Sequence, residues 1–149
     1  MDNTINIKNR KARYEFELVD KYTAGIQLKG TEIKSIRMSK ADISASFCLF
    51  IKNELWIRNM HIAEYTHGNV NNHEPIRDRK LLLNKKELEK IRKKCDEKGL
   101  TLVPTRLFIT KRGFAKLEIA TAKGKKLHDK RDNIKQRDSQ RAMDRAMKS

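Results

Sequence analysis

The chain has 149 residues, enough for one domain with one modest hydrophobic core. Thirty-five Lys and Arg stand against 19 Asp and Glu, a formal charge of +16 that calls for an anionic partner, nucleic acid first among the candidates. The composition argues against a membrane role, with no run of about 20 apolar residues and no amphipathic stretch carrying large apolar side chains; with no signal-like apolar run at the start and no metal or redox motif around Cys48 and Cys95, a cytoplasmic setting is expected.

Residues 1–13 are polar and basic, ending in "KNRKAR". From Tyr14, "YEFELVDKY" alternates and places Tyr14, Phe16 and Leu18 on one face of a strand; "AGIQLKG" repeats the alternation with Ile26 and Leu28. "GTEIKSIRMSKA" switches to helical spacing between Gly30 and Ala41, with Thr31 as N-cap and Ile33 and Ile36 on one side. "SFCLFIKNELWIRNM" reads as two strands folded about Lys52, Asn53 and Glu54, with Phe47, Leu49 and Ile51 on one face and Leu55 and Ile57 on one face of the partner.

The Asn- and His-rich stretch from Ala63 to Pro75 is a loop. Asn84 caps a second helix with Glu87 at its third position, Leu88 and Ile91 form its apolar stripe, and Gly99 stops it. "LTLVPTRLFIT" and "FAKLEIATA" are two further strands joined through "KRG", with Pro104 marking an edge or a bulge. About six short strands with two interspersed helices hide their edges best in a small closed or nearly closed antiparallel barrel. The composition divides the chain into a barrel domain with a basic arm, residues 1–122, and a basic tail, residues 123–149.

Charge runs are often only wetted surface, yet three of them occur here. Between Arg77 and Lys94 there are nine Lys or Arg against three Asp or Glu, and from Thr121 onward ten against four. In the tail, helical projection puts Lys126, Lys130, Arg137, Arg141, Arg145 and Lys148 on one face; Ser139, Ala142, Met143, Ala146 and Met147 lie mainly opposite and are too small to dock firmly. Like charges four apart disfavour the isolated helix by roughly 0.2–0.5 kcal/mol per pair, and phosphates beside the stripe would remove that repulsion. The tail is therefore expected to be disordered when free and helical when bound to RNA.

Catalysis finds little support. His61, His67 and His73 recur every six residues, a spacing that suits no familiar metal site, and His73 with Glu74 and Asp78 lacks a supporting nucleophile motif. Neither enzyme chemistry nor a cofactor or metal is expected, and Cys48 and Cys95 read as partly buried small side chains.

"NRKARYEF", "AGIQLKGTEIKSIR", "EPIRDRKLLLNKKEL", "GLTLVPTRLF" and "AKGKKLHDKRDNIKQRD", in this order, resemble the SmpB family, bacterial proteins that bind transfer-messenger RNA (the SsrA RNA). The resemblance implies an oligonucleotide-binding-type (OB-fold-like) barrel with a few helices and no enzymatic activity. It implies binding to the transfer-RNA-like domain of that RNA. It further implies trans-translation on stalled 70S ribosomes, the tail entering the empty messenger channel near the decoding centre and small-subunit RNA. Elongation factor Tu and alanyl-tRNA synthetase would be indirect partners through the RNA, and the protein a monomer.

By matched position, the resemblance assigns RNA binding to Asn9, Lys11 and Arg13, to Gly25, to Glu32 and Lys34, and to Arg79, Lys80 and Leu82. It assigns tail function to Gly124, Lys125, Lys126, His128, Asp129, Lys130 and Arg131. On their own chemistry, Gly25 could serve only a turn, Leu82 the core, and Glu32 a helix start or a basic neighbour. The chain departs from the family at Thr23, where many members carry an acidic residue; a hydroxyl cannot pair with a nearby Arg or Lys, so that role is not assigned. At His128 the imidazole could stack on an exposed base.

Overall fold

Period-two alternation from Phe16 to Ile26 produces one long strand where the sequence suggests two. The computed structural model describes residues 5–66 and 72–124. Within them β1 (Asn6–Lys8) and α1 (Arg10–Glu15) precede β2 (Phe16–Ile26), an uninterrupted strand with a bulge between Leu18 and Asp20. Then come α2 (Gly30–Arg37), β3 (Ala41–Asp42), β4 (Phe47–Ile51), β5 (Glu54–Arg58), β6 (His61–Ile62) and β7 (Arg79–Leu82). The chain continues through α3 (Lys85–Lys98), β8 (Thr101–Ile109) and β9 (Ala115–Gly124).

All strand pairs are antiparallel, in the order β1-β8-β9-β2-β7-β5-β4, with β3 and β6 forming a separate two-stranded sheet. β4, at the end of this order, returns to within 8 Å of β8 between Cα atoms, so the sheet curls into a nearly closed barrel. Leu55, Ile57, Leu81, Leu107, Leu117 and Ile119 fill its interior, and Ile36 of α2 and Ile91 of α3 join the same core.

Several boundaries differ from the sequence reading for identifiable reasons. Residues 9–13 of the basic segment are held in place because Asn9 accepts the Ala12 N–H at 3.1 Å, capping α1, and donates to the Pro104 carbonyl at 2.9 Å. Tyr14 consequently sits on α1 rather than on a strand face. α2 begins at Gly30 behind Lys29, and Thr31 does not cap it; the Thr31 hydroxyl pairs instead with Nδ1 of His73 at 2.8 Å. The helix ends at Arg37, where Ser39 turns left-handed at φ 59°, and Ala41 goes into β3.

The β4–β5 hairpin turns at Lys52 and Asn53, both left-handed, as a two-residue connection requires. Its register pairs Cys48 with Ile57 and Phe50 with Leu55, so Cys48 and Phe50, not Phe47, Leu49 and Ile51, share the inward face. Burial pushes the Cys48 thiol pKa up, reinforced by Cys95, leaving a small apolar group rather than a nucleophile. α3 forms as expected, Asn84 Oδ1 accepting the Glu87 N–H at 2.8 Å and Gly99 closing it at φ 62°. Pro104 is followed by a bulge before Arg106. β9 keeps pairing with β2 to Gly124, beyond residue 122, where the composition changes.

One polar cluster fastens the helical side to the sheet. Glu32 and Arg79 have no exposed side-chain surface, and Glu32 accepts Arg79 Nε at 2.5 Å and Arg77 Nη2 at 2.6 Å. Its Oε1 also accepts the Lys29 N–H at 2.7 Å, while Arg79 Nη1 donates to the Met60 carbonyl at 2.6 Å. Burial by itself raises the Glu32 pKa, but the hydrogen bonds from Arg77, Lys29 and Arg79 outweigh it and hold the carboxyl below its ordinary value. Because the folded pKa is depressed, the cluster stabilises fully above the usual Glu range and loses its contribution as pH falls through the folded value. Glu32→Leu strands the Arg79 charge in the interior and is expected to cost about 3–5 kcal/mol. Urea denaturation at pH 7 will show this as a lower midpoint at unchanged slope, with the gap to wild type narrowing in acid.

Candidate nucleic-acid interface

Antiparallel register brings five strands' outward residues into two rows. Lys8 of β1 faces Arg106 of β8, which faces Glu118 of β9, which faces Thr23 of β2. In the next row Asn6 faces Phe108, Phe108 faces Lys116, Lys116 faces Gly25, and Gly25 faces Leu82 of β7. Directly opposed residues of an antiparallel ladder project to the same side, so both rows form one surface. Its reverse is the core, since Ala24, Leu81, Leu107, Leu117 and Ile119 are buried.

The electrostatics of this face are predominantly positive. Arg106 lies with its guanidinium 4.2 Å from the Phe108 ring centroid while its Nε is 3.4 Å from Glu118, an arrangement that holds a planar cation flat against the sheet. α1 lies on the same side, because Ala12 packs against Val103 and Ala122, and Ala122 shares its face of β9 with Lys116 and Glu118. It therefore presents exposed Arg10, Lys11 and Arg13 beside the two rows. Such a surface offers guanidinium and ammonium donors for phosphates and aromatic rings for bases.

The residues singled out from the sequence divide into three groups. Lys11, Arg13, Gly25 and Leu82 belong to this outer face or its border, Leu82 with 48% of its surface exposed. Lys34 is exposed on α2 with its ammonium 5.5 Å from the Tyr65 ring, and Lys80 is ion-paired with Glu54. Asn9, Glu32 and Arg79 are buried, and their polar groups are spent inside the protein, so they position the surface and do not themselves present atoms to a ligand. Of the tail, Gly124 ends β9; Lys125, Lys126, His128, Asp129, Lys130, Arg131, Arg137, Arg141, Arg145 and Lys148 lie outside the described residues.

The run from Arg77 to Lys94 is less uniformly available than its charge suggests. Arg77 and Arg79 serve Glu32, and Lys94 pairs with Asp20. Lys85, Lys86, Lys90, Arg92 and Lys93 remain exposed on α3. His73 is buried: its Nε2–H donates to the Ile62 carbonyl at 2.9 Å, since a carbonyl can only accept, which leaves Nδ1 for Thr31. Asp78 is bonded to Arg58 at 3.1 Å, so His73, Glu74 and Asp78 do not converge on a common solvent-facing point. His67 lies outside the described residues.

Sequence reading did not single out Lys8, Arg106, Phe108, Phe114, Lys116 or Glu118. The alternation in "TRLF" and "AKLE" contains a signal for four of them, Arg106, Phe108, Lys116 and Glu118, one polar or aromatic residue at every second position, but only the register shows which strands stand alongside.

Residues 6–149 match the family model for SmpB protein. The chain is 59% identical over 145 residues to an SsrA-binding protein of Bacteroides thetaiotaomicron, covering 97% of each chain. It is 57% identical over 148 residues to one of Christiangramia forsetii, covering 99% of this chain and 94% of the relative. A solved structure, "tmRNA-SmpB: a journey to the center of the bacterial ribosome", is similar at TM-score 0.68 and 46% identity, covering 82% of this chain and 85% of that one.

If the outer face meets phosphates, each neutralised phosphate contributes about one unit to the slope of log affinity against log salt. The double variant Lys11→Ala with Arg13→Ala should flatten that slope by about two at unchanged melting temperature, as checked by filter binding to RNA across a salt series.

Proposed function

The chain belongs to the SmpB family, and from that we propose that it binds transfer-messenger RNA, the SsrA RNA, and acts with it in trans-translation to rescue stalled ribosomes. The family works as an RNA-binding factor and not as an enzyme. The observation that carries the reading to a place on this molecule is the outer face where Gly25, Leu82 and Lys116 stand side by side, flanked by the cationic α1. A transfer-RNA-like fold offers such a face both backbone phosphates and unstacked loop bases. Glu32 and Arg79 act one layer beneath, fixing α2 and β7 so that Lys34 and Leu82 keep their places.

The tail carries the second half of the proposal. The face read from its sequence, Lys126 to Lys148, suits a channel walled by RNA, and we assign it to the empty messenger channel of the small subunit near the decoding centre. The protein would travel as a monomer in the cytoplasm, meeting elongation factor Tu and alanyl-tRNA synthetase only through the RNA. Among the described residues no helix is long and apolar enough to cross a membrane.

A gel shift with the transfer-RNA-like domain tests the first half: binding should survive an excess of bulk transfer RNA at physiological salt. Loss of binding under that competition would reduce the protein to a generic basic RNA binder. Ending the chain after Gly124 preserves the whole β9 ladder and should leave the shift intact while abolishing tagging of proteins on stalled ribosomes. Normal tagging by the shortened chain would overturn the tail's role.

A further inference from the structure

At the end of the outer face, the β8–β9 hairpin closes through Lys111, Arg112 and Gly113, with Gly113 left-handed at φ 90° and the Thr110 N–H bonded to the Phe114 carbonyl at 2.8 Å. This tight turn leaves Phe114 with 62% of its surface exposed. Beside it is a hollow of about 270 Å³ lined by Gly25, Leu28, Ile33, Leu82, Phe114 and Lys116. That is slightly below the roughly 300–1,000 Å³ of sites for drug-sized ligands, a size for one planar ring. Gly25 adds no side chain to its lining; a side-chain carbon there would be in ordinary van der Waals contact, 3.4 Å from Leu82 Cβ and 3.7 Å from Lys116 Nζ, and would take up part of the space between them.

The chemistry around the hollow is that of a nucleotide. Its floor and wall are apolar, Lys116 stands at its rim, and the Arg37 guanidinium lies beside the turn, 3.5 Å from where a side-chain carbon on Gly113 would be. A continuous RNA helix presents phosphates and a shallow groove and could not fill such a site, whereas a base splayed out of its stack could. The hollow is continuous with the two outward rows through Gly25, Leu82 and Lys116.

We propose that this hollow holds one unstacked base of the bound RNA against the Phe114 ring, with the phosphate of that nucleotide on Lys116. The proposal rests on the reading that the outer face binds the transfer-RNA-like domain, and it adds a base-stacking aromatic residue to it. Base–aromatic stacking of this kind makes Phe114→Ala roughly 10-fold weaker in binding, and Phe114→Trp restores affinity because any large ring supplies the surface.

The test is a titration of the full-length wild type, Phe114→Ala and Phe114→Trp against the transfer-RNA-like domain, with melting temperatures recorded for each. The expected result is weakened binding for Ala, near-wild-type binding for Trp, and equal melting temperatures, because so exposed a ring contributes little to the core. A panel of RNAs each carrying one abasic nucleotide then identifies the base: one member should bind the wild type weakly, yet lose nothing further with Phe114→Ala. Unchanged affinity for Phe114→Ala beside a firmly binding wild type would overturn the hollow and leave the proposed function standing. Failure of the wild type itself to bind this RNA would overturn both.

Discussion

A carboxylate with no exposed surface, held by two guanidinium groups and a backbone N–H, is the constraint on which the outer face of the barrel depends. Glu32 belongs to α2, Arg79 to β7, and Arg77 to the segment leading into β7, so one ionic cluster fixes a helix start, a strand and a loop together. β7 is only four residues long and would have little hold on the sheet through its own ladder. Yet it carries Leu82 outward beside Gly25 and Lys80 outward beside Trp56. Desolvating three charges is costly; what the cluster secures is that β7 has a single register, without which its outward and inward residues would exchange faces.

The hairpins were legible in the sequence because apolar runs bounded by Asn or Gly leave few alternatives, and the β4–β5 and β8–β9 pairs formed about the expected turns, although the continuous apolar run of β4 concealed which of its residues face inward. α3 was legible for a similar reason, with a cap, a stripe and a stop all local in the chain. α1 was not, because its cap is local but the anchoring of that cap is not: Asn9 bonds a carbonyl 95 residues away. β7 was hidden inside a basic run whose strand conformation comes from the neighbours on either side. These are cases of tertiary context overriding a short and weakly patterned segment.

The site shows the same division more sharply. Matched position in the family resemblance marked Asn9, Glu32, Arg79 and Lys80 as groups for a ligand, but a match of residue types is blind to partners within the fold, and three of these are consumed in the interior, Glu32 at a helix start beside basic neighbours as its own chemistry suggested. Conversely, Arg106, Lys116 and Glu118 carry no mark in the sequence beyond their place in an alternating strand, and it is register that sets them on one surface with Gly25 and Thr23. Glu118 stands directly across from Thr23, so a carboxylate is present on this face even though position 23 lacks one.

The length of β9 gives the molecule a built-in spacing. Lys116 lies in the row that ends at Leu82, Gly124 is the last paired residue before the tail, and the eight residue steps between them amount to about 26 Å of extended chain. Because β9 is flanked by β2 on one side and β8 on the other for most of that length, the spacing behaves as a rigid lever arm and not as a tether. A partner seated on the outer face thereby dictates where the remaining residues set out from, and the reach of the tail is measured from a fulcrum that the barrel, not the tail, determines.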